Sequence, residues 1–307
     1  MQAKIEILKA EIAKVVVGQE EMIHGLLIGL FSHGHILVEG VPGLAKTTTI
    51  KALARALNMT FKRVQFTPDL LPSDIVGAEI YDPKNNRFTI KKGPIFTQLL
   101  LADEINRSPS KVQSALLEAM QERQVTIGDE SFALPEPFMV MATQNPLEHE
   151  GVYRLPEAQL DRFMMKLLIE HNSEEEELRI MRHVAMKRTQ PICPVLSLEE
   201  IAKIAQAIDA VHVDEEVERY VVRLVRATRL ERNELRYGAS PRALIDLYKA
   251  SKAHAFMSGK SFVTPVDVVQ MAYPVLRHRV GLSYEARAKG VDVDTVLNAI
   301  ISTVEMP

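Results

Sequence analysis

The eight residues Gly40, Val41, Pro42, Gly43, Leu44, Ala45, Lys46 and Thr47, with Thr48 next, match the spacing G-x-x-x-x-G-K-[ST] at every fixed position but one, where Ala45 stands for glycine. The chemistry of that spacing is phosphate binding. Backbone N–H groups at a helix start point at phosphate oxygens, the Lys46 ammonium reaches the β and γ phosphates, and the Thr47 hydroxyl ligates Mg²⁺. Alanine keeps the backbone N–H and adds only a methyl, so the anion cradle survives provided that Ala45 needs no positive φ.

Further along, TQLLLADEINRS is an apolar run ending in adjacent carboxylates, Asp103 and Glu104. Placed at the edge of a parallel sheet beside the loop, Asp103 would hold the metal through its waters and Glu104 would act as general base on an attacking water. PFMVMATQNP ends in Asn145, whose amide can orient a water or sense a γ phosphate without adding charge; the alternative is a plain Asn-Pro turn. Two arginines complete the set. PEAQLDRF puts Arg162 at the end of a short helix, and GASPRALIDL puts Arg242 in the first turn of another. The helix dipole opposes a cation there, so Arg242 needs a compensating anion, which a triphosphate would supply. A surface ion pair of little energetic consequence is the other reading of each arginine.

These residues need elements to position them. Up to about residue 170, short apolar runs alternate with amphipathic helices, the pattern of a mostly parallel sheet with helices on both faces. The expected strands are 35–39, 61–65, 98–102, 138–143 and 164–169, and the first runs through HILVEG into the glycine-rich turn and the helix KTTTIKALARAL. MIHGLLIGLF reads as a buried helix, being about half the ~20 residues that span a bilayer. Beyond about residue 195 every segment carries apolar residues at spacings of three and four, which predicts an all-helical half. Ser240 before Pro241 and Thr264 before Pro265 are helix starts. RTQPICPVLS is the expected linker, and Glu174 to Glu177, after Ser173, read as a solvated first turn.

The chain's 307 residues suit two domains, drawn at 1–190 and 191–307. A formal net charge of -3 with 25% charged residues does not mark a strongly basic nucleic-acid binder. Cys193 is the sole cysteine, which excludes an internal disulfide and fits a reducing compartment. The N-terminal residues alternate charged and apolar types and lack a cleavage site, so secretion is not expected and the cytoplasm is the default. His24, His33 and His35 cluster near the first strand without a cysteine and read as core or surface histidines, and the methionines of MATQ and RFMMK, with Met139, as core filling.

Taken in order, GVPGLAKT, LLLADEINR, ATQNP, LPEAQLDRF and GASPRA resemble the MoxR-type AAA+ ATPases over nearly the whole chain, and alanine in GVPGLAKT is usual there. The resemblance implies an αβα P-loop domain, its parallel sheet sandwiched by helices, followed by a small helical lid. ATP with Mg²⁺ would lie at the junction and between subunits of a homo-oligomeric ring, usually a hexamer. It further implies that Val17 and Gly18 lie near the adenine, that Arg162 is a finger reaching the next subunit's nucleotide, and that Arg242 is the lid sensor, in its own subunit or in trans. Arg107 and Arg154 are rivals to Arg162 as the finger that the sequence does not exclude.

Two segments match the family's insertions: 67–94, with short strands AEIYD and RFTIK, and the hairpin RQVTIGDESFALPEP turning at Gly128 and Asp129. In ring ATPases of this clade such hairpins project toward the pore. The leading functional expectation is chaperone-like remodelling or maturation of a protein client, with a von Willebrand factor A domain protein as the usual partner. Nucleic acid is disfavoured because 124–137 carries no lysine or arginine, although Lys84, Arg87, Lys91 and Lys92 on the other insert keep a translocase open. A nucleotide-gated scaffold is a third reading, against which Glu104 argues. A role like that of the related magnesium chelatase motor subunits is a further reading within the same fold.

Overall fold

In the computed structural model, which describes residues 1–146, 153–185 and 191–307, and of 183–185 the backbone alone, the apolar runs pair into one parallel sheet. Helices α1 (Gln2–Ala13) and α2 (Glu20–Phe31) precede β1 (Ile36–Glu39) and α3 (Lys46–Ala56). Next come β2 (Phe61–Gln65), the short α4 (Pro72–Val76), the hairpin strands β3 (Gly77–Asp82) and β4 (Arg87–Lys92), and β5 (Leu99–Asp103). After α5 (Ser110–Glu122), a second hairpin, β6 (Gln124–Ile127) and β7 (Glu130–Ala133), leads to β8 (Met139–Gln144), α6 (Glu157–Leu160), β9 (Met165–Leu168) and α7 (Glu174–Ala185).

The sheet order is β2-β5-β8-β1-β9. Alternate residues of each strand serve opposite faces. Ile36, Val38, Leu99, Leu101, Met139 and Met141 enter one core, while Leu37, Leu100, Ala102, Val140 and Ala142 enter the other. Burial on both faces explains the continuous apolar runs in the sequence. Met164 and Met165 join the first core, as the strand methionines were expected to. Because β8 lies between β1 and β5, the C-terminal ends of those three strands stand side by side, where ligands of open α/β sheets bind.

The remaining chain forms α8 (Leu198–Asp209), α9 (Glu215–Ala227), β10 (Leu235–Tyr237), α10 (Pro241–Met257), α11 (Pro265–Leu276), β11 (Gly281–Leu282), α12 (Tyr284–Ala288) and α13 (Val293–Thr303). Besides its helices it holds the antiparallel pair β10 and β11, strands too short to leave a period in the sequence, and an isolated parallel bridge between His212 and Phe262. Residues 188–190 of the expected linker, and the boundary expected at 190, lie outside the described residues. The start signals act as expected: the Ser240 side chain accepts from Arg242 N at 3.2 Å, and Thr264 N donates to Asp267 Oδ2 at 2.8 Å. Ser173 N and Oγ both donate to Glu176 Oε2, at 2.8 and 2.9 Å, which closes the first turn of α7. The core on the β1 side of the sheet continues without a break into α8, α9, α10 and α11, so the lid and the sheet share one apolar interior.

The two inserted hairpins form where the sequence placed them and touch each other. A Cβ on Gly128 would lie 2.5 Å from Glu79 Oε1, and Lys92 Nζ sits 4.8 and 4.7 Å from the ring centres of Phe96 and Phe132.

Candidate functional site

The glycine-rich turn follows β1 directly, and α3 begins at Lys46. The first backbone bond of the helix runs from Thr49 N to Ala45 O at 2.8 Å. Among the described residues, the N–H groups of Gly43, Leu44, Ala45, Lys46, Thr47 and Thr48 donate to no other backbone group. Unpaired amides at a helix N-terminus are the donors an anion needs. Gly43, at φ +92, faces open space, since a Cβ there would meet nothing within 4 Å. Residues and space thus fit a phosphate chain.

Ala45 corrects one premise of the sequence. It lies at φ 55, ψ 14, in the left-handed region, so the condition that it need no positive φ is not met. The row of amides forms regardless, at a conformational cost of about 1–2 kcal/mol for a residue with a Cβ. Glycine would relieve that cost and lose about 0.4–1 kcal/mol through a freer unfolded chain. Because the amide row already stands in this left-handed turn, Ala45→Gly is expected to leave ATP affinity nearly unchanged and to raise folding stability by up to about 1 kcal/mol. Denaturant unfolding beside calorimetric titration with a non-hydrolysable ATP analogue checks it, and a large gain in affinity would show that alanine impairs the binding loop.

Lys46 Nζ donates to Gly40 O, folding the ammonium back over its own loop. Burial holds that ammonium below its usual pKa, against the opposing pull of the Asp103, Glu104 and Glu39 carboxylates. The β5 acids therefore act on the same space as the loop lysine.

Asp103 is the last residue of β5 and is oriented from both sides. Its Oδ1 accepts from Thr143 Oγ1 at 2.6 Å, and its Oδ2 accepts from Arg63 NH2 at 2.7 Å and Nε at 3.0 Å. Glu104 occupies φ 56, ψ 50, a second residue with a Cβ in the left-handed region. Such strain persists only where the surroundings over-determine it, and functional sites collect it. Here Glu104 N donates to Thr143 Oγ1 at 2.9 Å, Gln65 Nε2 donates to Glu104 Oε2 at 2.8 Å, and Arg107 Nε lies 3.2 Å from the same oxygen. The turned backbone and three polar neighbours set the carboxylate at the end of β5. Gln65, Arg63 and Thr143 were not singled out in the sequence. Each is a polar residue at or near the C-terminal end of a sheet strand, which is the signal that would have found them.

Asn145 follows the last residue of β8, which puts it between the strand that feeds the loop and the strand that ends in the acids. Val17 and Gly18 line a cavity of about 1010 Å³ whose wall includes Gln19 at the start of α2, Leu167 of β9, and Tyr273 and Arg277 at the end of α11. Gly18 has φ +74, and a Cβ there would lie 2.8 Å from Asn172 Oδ1 and 2.7 Å from Glu176 Cδ. Only glycine suits that turn. Neither the loop residues nor Arg242 line the cavity.

Arg162 and Arg242 share a neighbourhood around Asp161. Arg242 NH1 lies 3.9 Å from Asp161 Oδ2, so the anion this helix start requires is supplied within the chain. Arg162 is partly buried, and among the described residues its side chain makes no hydrogen bond or ion pair. Of the rival fingers, Arg107 faces Glu104 while Arg154 is exposed. The histidines go elsewhere: the ring of His35 accepts from Val140 N and donates to Met120 O, and burial drives its pKa down to about 3. His24 meets His254 edge to face at 5.3 Å.

The sequence profile of the ATPase family associated with various cellular activities (AAA) matches residues 35–165, and that of the AAA lid domain matches 227–300. Chaperone MoxR1 of Mycobacterium tuberculosis is 44% identical over 305 residues, covering 97% of this chain and 81% of that protein. YeaC of Bacillus subtilis is 42% identical, covering 96% of this chain and 92% of that protein. A crystal structure of a Cytophaga hutchinsonii protein superposes with a TM-score of 0.94 at 47% identity, covering 100% of this chain and 96% of the other.

Proposed function

This chain belongs to the MoxR-type AAA+ ATPases, and from that premise we propose that it binds and hydrolyses ATP as a ring that remodels a protein client in the manner of a chaperone. The observation that carries the reading is the row of unpaired amides from Gly43 to Thr48, set with Lys46 against the Asp103 and Glu104 carboxylates. In this reading the loop 40–48 cradles the phosphates. Thr47 and Asp103 are the residues that would hold Mg²⁺, whose charge would offset that of the β and γ phosphate oxygens. Asn145 orients the attacking water, Glu104 takes its proton, and Arg162 offsets charge that builds on the transferred phosphoryl group. Val17 and Gly18 hold the base in the cavity beside α11, and Arg242 senses the phosphates. The nucleotide domain is 1–190 and the lid 191–307.

The client reading comes from relatives, one of which bears the name of a chaperone. A hexamer, a von Willebrand factor A domain partner and a cytoplasmic site of action belong to the same proposal. Among the described residues no helix is long and apolar enough to cross a membrane.

One observation favours a second reading, a nucleic-acid translocase. On the first hairpin, the rings of Tyr81 and Phe88 meet at a tilt of 57° with centroids 5.4 Å apart while 48% and 67% exposed, close in sequence to Lys84 and Arg87. Exposed rings among cations can stack bases. The second hairpin offers no such cations and carries Asp129 and Glu130, so phosphates would meet like charge there. Binding of a labelled single strand that weakens steeply with salt would favour the translocase.

The test of the leading reading is ATP turnover against protein concentration, with sedimentation velocity on the same samples with and without ATP. Specific activity should rise with concentration and follow a ring-sized species. Lys46→Ala should abolish both nucleotide binding and turnover; ordinary ATP affinity in that variant would sink the phosphate-loop assignment.

A further inference from the structure

The segment that carries Arg162 is bound to the lid by one buried side chain. Arg279 follows α11, and its side chain is 0% exposed. Its Nε donates to Asp161 Oδ1 at 2.9 Å, and its NH2 donates to the carbonyls of Asp161 and Phe163 at 3.1 and 2.8 Å. Its NH1 donates to Met164 O at 3.2 Å, and the guanidinium also pairs with Asp246 of α10. A single planar fork therefore grips the backbone on both sides of Arg162, a geometry that a lysine cannot reproduce.

Asp161 completes the clamp. Ser240 Oγ donates to both of its oxygens at 2.9 Å, and Ser240 caps α10, the helix that carries Arg242. Arg242 NH1 stands 3.9 Å from the same carboxylate. Neighbours in sequence on a helical turn do not face each other, so Asp161 turns to the lid and, among the described residues, the Arg162 side chain makes no hydrogen bond or ion pair.

We propose that Asp161 and Arg279 are positioning residues that lock Arg162 and Arg242 into one body, so that a phosphate drawing on Arg242 fixes the position of Arg162 at the same moment. This rests on the reading of Arg162 as a transition-state contact. Movement of α10 passes through Ser240 and Asp161 to the backbone of Arg162, and Arg279 keeps that backbone from yielding. The two arginines then serve one triphosphate, whichever subunit holds it.

The experiment is a kinetic cycle on the full-length protein. Asp161→Asn keeps the size and an acceptor for Ser240 but removes the charge shared by Arg279 and Arg242. Turnover should fall, by up to about 10²-fold for a displaced contact, while the KM for ATP and the bound fraction of a fluorescent ATP analogue hold steady. The Asp161→Asn change added to Arg162→Ala should cost nothing more, because the residue it positions is already gone. An additive loss, or wild-type turnover in Asp161→Asn alone, overturns the proposal. If Arg162→Ala itself leaves turnover intact, the transition-state reading of Arg162 fails first and the proposal with it. Should Asp161→Asn not fold, Ser240→Ala carries the same cycle, since it removes only the donor between α10 and Asp161 and the cap of that helix.

Discussion

Arg162→Ala is expected to lower ATP turnover by about 10³- to 10⁵-fold while leaving ATP affinity almost unchanged, the pattern of a group that acts on the transition state alone. The expectation starts from a side chain with no hydrogen bond or ion pair among the described residues, on a backbone held through Asp161, Phe163 and Met164. Its removal breaks no hydrogen bond or ion pair among the described residues, so folding should be little affected. A cation that makes no ion pair among the described residues, on a backbone held by Arg279, is ready for an anion from outside the chain. Mixing subunits provides the decisive measurement. Arg162→Ala and Glu104→Gln subunits, each inactive alone, should regain turnover when combined, because a site with Glu104 from one subunit can receive Arg162 from its neighbour. Arg154→Ala in parallel should stay near the wild-type rate. No recovery in mixed rings would confine Arg162 to its own subunit, and a collapse in Arg154→Ala would move the finger to Arg154.

The strands and the order of chemical motifs were legible because each rests on a local signal. The five strands of the central sheet fall within one residue of their expected ends; four of them are short apolar runs, while β2, FKRVQ, buries only Val64. Caps such as Ser240 and Thr264 are equally local. What escaped the sequence is of two kinds. The first is backbone conformation: nothing in the identity of Ala45 or Glu104 announces φ 55 or φ 56, because both positions are imposed by the turn closing around them. The second is long-range pairing. Asp161 and Arg279 are 118 residues apart, and the lid must fold onto β9 before their partnership exists. Gln65 is an intermediate case. Its type was visible, but its reach to Glu104 depends on β2 lying beside β5, a fact of sheet order and not of sequence.

Glu104→Gln is expected to cut turnover by about 10²- to 10⁴-fold with ATP binding retained. The substitution is close to isosteric, so the amide oxygen can still accept from Gln65 Nε2 while the left-handed turn persists. Loss of the pairing with Arg107, whose side chain is 43% exposed, costs folding no more than about 1 kcal/mol. Lys46 loses one of the carboxylates that favour its charged form, but Asp103 and Glu39 remain, so the ammonium keeps its hold on phosphate. What the amide cannot do is take a proton from water. Binding of a fluorescent ATP analogue and single-turnover phosphate release, measured on the same preparation, separate the two effects. Tight binding without release assigns the proton to Glu104 and argues against a scaffold that merely holds nucleotide, since in a scaffold the change from carboxylate to amide would alter nothing. Unchanged release would strip Glu104 of that role and leave Asp103, already committed to Arg63 and Thr143, as the remaining carboxylate at the end of β5.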